Sequence, residues 1–333
     1  MVGAVLSAAL LLPAVGSTAG AATATAERPS AVTATVAAAA STAAPVTTAR
    51  RADVRRTRAL YADPTSAAAR AAKRDARFRP LATAPQAKWL LDSHGAGVGK
   101  VARAYVTAAT KAGRTPVVAL YAIPARDCGS YSSGGLTPRQ YRAWVRRVAR
   151  PLRGARAIAI VEPDAVAMLG ACADQGPRAA LLRYAVNRLR AAGTWVYLDG
   201  GHSNWIPPAT MAARLKRSGV ANARGFVTNI ANFQPTAAED AYARAVRAEL
   251  AALGVRRVRY AIETSRNGAR RSGEGVCNPR WARVGLRPRI RLNGARDGFL
   301  WVKRPGESDG ECGRGDPAAG RWWARAALRL LGR

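Results

Sequence analysis

Short apolar runs recur along the chain from about residue 58, and most of them end in a polar or charged residue. Seven such runs occupy residues 86–92, 115–124, 155–164, 194–201, 223–232, 256–265 and 296–305. Apolar residues repeat with the helical period between them, at 99–112, 138–151, 177–192, 209–217, 236–253 and 317–331. Buried strands that alternate with helices predict a parallel sheet with helices packed outside it.

About seven such units in one chain favour an α/β fold that closes into a (β/α) barrel. An open doubly wound sheet is the alternative, although no glycine-rich phosphate loop follows a strand. One predicted helix has a start signal, because Thr236 and Glu239 have the spacing of a capping box. Chemistry in such barrels lies at the carboxyl ends of strands. Those ends carry Asp127, Asp164, Asp199, Asn232, Glu263, Glu307 and Asp309.

The first 55 residues differ from the rest. Residues 1–22 combine an apolar run with small residues, which is typical of a secretory signal peptide, although no Lys or Arg precedes the run. Residues 23–55 are rich in Ala and Thr and indicate a linker or disordered tail. An Ala-rich tail throughout is the alternative to export. We therefore expect a secreted, extracellular protein whose folded domain spans 56–333, with no membrane span in that domain.

The net charge of +33 is extreme: 53 residues are Lys or Arg and only 20 are Asp or Glu. Such a charge permits binding to nucleic acid or another polyanion. The basic residues are spread over the whole chain, however, whereas a nucleic-acid protein more often clusters them among aromatic residues. We expect no specific nucleic-acid partner.

Four cysteines are present, at 128, 172, 277 and 312. None forms a close pair of the zinc-binding kind. An even number in an exported chain indicates two disulfides, and three connectivities are open.

Only two histidines occur, His94 and His202, which excludes a multi-histidine metal site and argues against a Ser-His-Asp hydrolase. We expect neither a metal nor a cofactor. The strand ends bring together carboxylates with Trp, Tyr and Asn, a set that suits glycoside hydrolysis.

Each candidate residue also has an ordinary structural explanation. Asp164 could cap a following helix, and Asp127 could pair with Arg126 in a turn. His202 could be a loop histidine bonded to the backbone, Lys303 a solvated lysine, and the tryptophans core residues.

Seven segments taken together resemble glycoside hydrolase family 6, the inverting cellulases that cut β-1,4-glucan. In chain order they are YAIPARDCGSYSSGG, IVEPDAVAML, YLDGGHSNW, GFVTNIANF, IETSRNG, CNPRWARVGLRP and FLWVKRPGESDGEC. The resemblance runs from about residue 59 to 330. It implies a distorted barrel of the TIM-barrel type with about seven parallel strands.

The resemblance also implies roles. Asp164 matches the general acid, and Asp127 the carboxylate that raises the pKa of that acid. Asp309 matches a debated general base; the other account places a water held by Asp127 and a loop serine, Ser132 or Ser133. Tyr121 matches the tyrosine beneath the distorted sugar. The positions implied to contact sugar are Trp89, Asp199, His202, Trp205, Asn232, Lys303 and Glu307, and the implied disulfides are Cys128–Cys172 and Cys277–Cys312.

Four positions depart from the family pattern: Ala122, Gly200, Glu263 and Val276. Val276 replaces a tryptophan that stacks on glucose, so one sugar subsite is expected to be weaker. The loops that roof the cleft in exo-acting members are short here, which favours an open cleft and internal cutting.

We therefore expect a monomeric endo-β-1,4-glucanase acting on a polysaccharide substrate. The alternatives are a cellobiohydrolase, a catalytically impaired glycan-binding protein and a polyanion binder.

Overall fold

A computed structural model of the chain describes residues 53–270 and 275–333. The predicted signal peptide and all but the last residues of the predicted linker lie outside the described residues. Arg55 is buried, and its guanidinium donates hydrogen bonds to the carbonyls of Ala157 (2.9 Å) and Gly193 (3.0 Å). The packed domain therefore includes residues 53–55, slightly before the expected start at 56.

In the part of the chain that the structure describes, eight strands form one sheet. They are β1 (Lys88–Leu91), β2 (Val117–Tyr121), β3 (Ile158–Val161), β4 (Trp195–Asp199), β5 (Gly225–Thr228), β6 (Arg259–Glu263), β7 (Arg289–Asn293) and β8 (Arg296–Leu300). The α-helices are α1 (Ala67–Arg74), α2 (Arg79–Ala82), α3 (Val98–Lys111), α4 (Pro138–Leu152), α5 (Arg178–Ala191), α6 (Pro208–Arg217), α7 (Thr236–Ala252) and α8 (Ala324–Leu330).

The strand order is β1-β2-β3-β4-β5-β6-β8-β7. Seven strands run parallel, which confirms the predicted α/β barrel-type fold, and β7 pairs antiparallel with β8. Among the described residues, β1 and β7 are the edge strands of the sheet, and no strand pairing between them closes the barrel. A backbone hydrogen bond from Ala87 N–H to Trp301 O (2.9 Å) spans the seam between β1 and β8.

Side chains that alternate between the two faces of the central strands divide the core into two layers. In β2, Val118 and Leu120 join the cluster beneath the helices, whereas Val117 and Ala119 join the cluster inside the curved sheet. Successive side chains point to opposite faces of a strand, so a strand buried on both faces must be apolar throughout. The continuous apolar runs in the sequence follow from this requirement.

Two expectations about helices are wrong. Pro235, not Thr236, is the N-cap of α7; Thr236 begins the helix, and the buried Glu239 instead accepts a hydrogen bond from Ser203 N–H (2.8 Å). The last helix covers only Ala324–Leu330 rather than 317–331. Gly320 has a φ of 77° in that stretch, a left-handed conformation that a helix does not accommodate.

Within the described residues, no helix is both long enough and apolar enough to cross a membrane.

Candidate active site

A cleft of about 690 Å³ opens where the carboxyl ends of the strands meet. Ten of the eleven predicted catalytic and sugar-binding residues line it: Trp89, Tyr121, Asp127, Asp164, His202, Trp205, Asn232, Lys303, Glu307 and Asp309. The remaining one, Asp199, is buried (1% exposed) and does not line this cleft. The cleft therefore collects residues separated by more than 200 positions in the chain.

Asp164 lies in a tight turn just after β3. Its φ is 68°, and its own N–H donates a hydrogen bond of 2.6 Å to Oδ2 of Asp199. The next α-helix, α5, begins only at Arg178, so the helix-capping explanation for Asp164 is wrong. The buried Asp199 also accepts from Gly201 N–H (2.9 Å), and it therefore fixes the backbone that carries Asp164.

The environment of Asp164 favours its protonated form. Burial and the negative charge of Asp127 raise the pKa of this carboxyl to about 7, although the Lys303 cation acts in the opposite direction. Burial and the charge of Asp164 also raise the pKa of Asp199. Asp164 can therefore carry a proton near neutral pH, as a general acid must.

Asp127 lies in the loop that follows β2. Its Oδ2 accepts a hydrogen bond from Ser132 N–H (2.8 Å). Burial raises the pKa of Asp127, although the Ser132 hydrogen bond and the charge of Arg126 act in the opposite direction. Arg126 forms its ion pair with Asp92 (2.7 Å), and its guanidinium stacks over the Tyr121 ring at 4.5 Å. The simple Asp127–Arg126 ion pair is thus not the arrangement observed.

Glu162, two residues before Asp164, has a structural position. Its buried Oε2 accepts hydrogen bonds from the N–H groups of Ala122 (2.8 Å) and Ile123 (3.1 Å). Burial raises its pKa to about 7. Glu162 therefore joins the ends of β2 and β3, the two strands that lead to Asp127 and Asp164.

Asp309 has the opposite electrostatic environment. Its carboxylate contacts Arg266 Nη1 (2.7 Å) and Lys303 Nζ (2.9 Å), and it accepts from Asn278 N–H (3.0 Å). Burial alone would raise its pKa, but the two cations outweigh that effect and hold the pKa well below its usual range. Asp309 is therefore ionised and a weak proton acceptor, and Lys303 is a paired residue rather than a solvated one.

Aromatic groups line the same cleft. Trp89 is fixed by a hydrogen bond from Nε1 to Val302 O (2.7 Å) and by an edge contact with Tyr121 at 5.0 Å between ring centroids. Trp205 is 39% exposed beside His202, at 5.5 Å. Burial lowers the pKa of His202 to about 4, so this side chain is neutral. An exposed indole in a cleft offers a flat apolar face to a sugar ring.

Two disulfides join the loops around the cleft. Cys128 pairs with Cys172, and Cys277 pairs with Cys312. This is the sequential connectivity that the family resemblance implied. No group of three or more His, Cys, Asp or Glu side chains that could hold a metal occurs among the described residues.

Two contacts at the cleft were not anticipated from the sequence. Arg266, within the quoted IETSRNG segment, supplies the main cation for Asp309, although 43 positions separate them. Tyr131, 57% exposed, packs so closely on Gly310 that a β-carbon there would lie 2.6 Å from it. The loops after β2 and β8 thus touch at this point. The contact depends on the absence of a side chain at Gly310, the residue after Asp309.

The chain is similar to known proteins over most of its length. Residues 46–333 match the family model described as glycosyl hydrolases family 6. Endoglucanase A of Cellulomonas fimi is 41% identical over 82% of this chain and 61% of its own length, and endoglucanase 1 of Streptomyces halstedii is 38% identical over 83% and 89%. The chain thus spans less than two thirds of the Cellulomonas protein.

A solved structure has the same fold. The endoglucanase Cel6 from Mycobacterium tuberculosis, in complex with methyl-cellobiosyl-4-deoxy-4-thio-β-D-cellobioside, superposes with a TM-score of 0.79 at 40% identity, covering 84% of this chain and 99% of that one. The family model covers most of the chain, and the similar structure has the same fold. The chain therefore belongs to family 6 of the glycosyl hydrolases.

Proposed function

We propose that the protein is a secreted endo-β-1,4-glucanase that hydrolyses cellulose or a related β-glucan with inversion at the anomeric carbon. The observation that carries this proposal is the position of Asp164, whose pKa is raised to about 7 and which lines a cleft with other carboxylates, the half-buried Trp89 and the exposed Trp205. A carboxylic acid with a raised pKa is the group that protonates a glycosidic oxygen. The names of the similar endoglucanases and the cello-oligosaccharide analogue in the similar structure support the substrate class.

In the proposed reaction, Asp164 gives its proton to the leaving glycosidic oxygen while water attacks the anomeric carbon from the opposite face. The attacking water loses a proton in the same step. We assign that proton to Asp127, with water held at the Ser132 side of its loop, because the pKa of Asp127 is raised whereas that of Asp309 is lowered. Asp309 then serves to neutralise and position Lys303 and Arg266.

Sugar binding is assigned to the rest of the cleft. Trp89 and Trp205 offer stacking faces, and Tyr121 lies beneath the sugar to be cleaved. The hydroxyl groups are assigned to His202, Asn232, Lys303 and Glu307. Asp199 is better placed to position Asp164 than to touch sugar, because it is buried.

Short segments around the cleft favour internal cutting. The stretch from Asp309 to α8 holds only 14 intervening residues (310–323), and Tyr131 contacts Gly310 at the rim. A cellobiohydrolase remains the alternative, and so does an impaired binder, for which the exposed Val276 (72%) in the cleft is the supporting observation. Two disulfides favour an oxidising compartment and thus export. We propose a monomer.

Product chromatography on soluble and crystalline β-glucans tests the proposal. An endoglucanase should release mixed oligosaccharides from a soluble glucan early in the reaction, with the α-anomer formed first. Release of cellobiose alone would indicate the exo-acting alternative, and binding without any release would indicate the impaired binder. A first product in the β-configuration would contradict inversion.

A further inference from the structure

Four neighbouring helices on the outside of the sheet carry basic residues and no acidic ones. α3 packs on α4, α4 on α5 and α5 on α6, so their outer faces are continuous. They hold fifteen Lys or Arg residues and not one Asp or Glu. We call the twelve exposed members the basic belt: Lys100, Arg103, Lys111, Arg139, Arg146, Arg147, Arg150, Arg183, Arg188, Arg190, Lys216 and Arg217.

No carboxylate between residues 53–270 or 275–333 forms an ion pair with a cation of the basic belt. Every ion pair between described residues lies outside α3–α6. The next helix, α7, is different: it contains Glu239, Asp240 and Glu249, and Asp240 pairs with Arg244 and with Arg296 (2.6 Å). The unpaired surface therefore ends at the α6–α7 boundary.

Three guanidinium groups converge on Tyr184 at the α4–α5 junction. Arg142 and Arg188 lie over the ring at 4.8 Å and 5.3 Å, and Arg146 Nη1 donates to the hydroxyl at 3.2 Å. Like charges gathered in this way repel one another, and an anion would relieve the repulsion. The stacking also holds the guanidinium planes in fixed orientations.

We propose that the basic belt is a second binding surface, separate from the cleft, that holds an anionic polysaccharide bearing carboxylate groups. Arginine binds carboxylates in a bidentate manner, and it supplies nine of the twelve exposed cations. The exposed large apolar side chains of the described residues, Tyr131, Trp205, Leu253, Val276 and Leu286, all lie off these helices, so nothing there inserts into a membrane.

A nucleic acid fits this surface less well. Single-stranded binding uses aromatic faces on which bases stack. Tyr184, the aromatic residue at the centre of the belt, already has arginines against its ring. A polysaccharide with regularly spaced carboxylates needs only an extended row of cations, and these helices supply one.

Two matched variants test the proposal. The first, R146Q/R147Q/R150Q/R188Q, removes four exposed charges from the belt. The second, R56Q/R58Q/R291Q/R325Q, removes four exposed charges elsewhere, so that both proteins have the same net charge. Binding of each to polygalacturonate is measured by titration over a range of NaCl concentrations, with neutral dextran as the control polymer. Circular dichroism and hydrolysis of a soluble glucan verify that both variants are folded and active.

The wild type should bind polygalacturonate with an affinity that falls steeply with salt. The belt variant should bind about tenfold more weakly at low salt and show a shallower salt slope, whereas the second variant should lose no more than about twofold. Equal losses in the two variants would overturn the proposal, since net charge alone would then account for binding. Preference for duplex DNA or for anionic phosphatidylglycerol vesicles over polygalacturonate would also overturn it.

Discussion

The two walls of the cleft shift the pKa values of their carboxylates in opposite directions. The acid wall, formed by the loops after β2 and β3, holds Asp127 and Asp164 with raised pKa values. The ion-paired wall, formed by the loop after β8, holds Asp309 between Arg266 and Lys303 with a lowered pKa. All three are substantially buried, so burial does not distinguish them. The number of cations in contact with each carboxylate does distinguish them, and it separates a group that can carry a proton near neutral pH from a group that stays ionised.

Of the substitutions considered, Asp164→Asn in the acid wall should have the largest effect on activity. The amide cannot donate an acidic proton, so kcat on a soluble glucan should fall by about 10²–10⁴-fold. The loss should be much smaller on an aryl cellobioside whose leaving group needs no protonation. Binding of cello-oligosaccharides, measured calorimetrically, should stay close to wild type. A comparable rate loss on both kinds of substrate would indicate that Asp164 is not the acid.

Asp127→Asn should change the pH profile as well as the rate. The negative charge of Asp127 helps to raise the pKa of Asp164, so its removal lowers that pKa. Wild-type kcat/KM should decline as the pH rises through about 7, because Asp164 then loses its proton. In the variant this alkaline limb should move to lower pH, with a rate loss of about tenfold or more.

The control for this variant is Asp174→Asn, an exposed carboxylate in the loop after β3. It should leave the alkaline limb where it is in the wild type. If the alkaline limb of the pH profile does not shift in Asp127→Asn, the charge of Asp127 does not raise the pKa of Asp164.

Asp309→Asn should affect the ion-paired wall mainly through stability. Losing this carboxylate leaves Arg266 and Lys303 close together without their shared anion, which we expect to lower the free energy of unfolding by about 3 kcal/mol. Urea titration measures the loss. Because the pKa of Asp309 is lower in the folded chain than in the unfolded chain, ionised Asp309 stabilises the fold at neutral pH. This contribution is lost as the pH falls toward the acid range.

Asp75→Asn provides the comparison, since Asp75 pairs with an exposed Arg77 and should cost far less. If Asp309→Asn instead keeps full stability but loses as much kcat as Asp164→Asn, Asp309 is the catalytic base and our assignment to Asp127 is wrong.

Val276→Trp should give the smallest effect. Val276 is exposed on the cleft, and an indole there adds an apolar face for a sugar ring. We expect KM for a soluble glucan to fall by about twofold to tenfold with little change in kcat. Leu286→Trp, at an exposed position that does not line the cleft, should leave KM unchanged. An unchanged KM in both variants would show that no sugar binds beside position 276.

Much of the fold could be predicted because it follows from alternation and burial. Strands buried on both faces are largely apolar, and all seven parallel strands were predicted from their apolar runs, although β1 begins with Lys88 and β8 with Arg296 and the buried Asp297. β7 was not, because it is an edge strand with the sequence RIRLN, in which arginines alternate with apolar residues. β7 pairs with β8 across a tight turn at Gly294, which has a φ of 55°, and the Asn293-Gly294 pair that leads into this turn is a local hairpin signal.

The site was predictable in its residues but less so in its interactions. Parallel strand ends meet at one edge, so carboxylates placed there converge whatever the loops do. Of the two cations that set the charge of Asp309, Lys303 lies in the same segment, but Arg266 is 43 positions away and reaches Asp309 only through the loop conformation. The same reason explains Asp199, whose carboxylate turns under the strand ends to the N–H of Asp164 instead of toward the cleft.

The two disulfides have a consequence for how the enzyme matures. Cys128–Cys172 links the loop of Asp127 to the segment after β3, and Cys277–Cys312 links the segments after β6 and β8. Both bridges lie among catalytic loops, and neither joins the strands of the sheet. Reduction should therefore loosen the reaction geometry before it dissolves the core, leaving a folded chain with low turnover. In a reducing environment the chain should therefore fold yet turn over substrate slowly, and formation of the two bridges would be its last activation step.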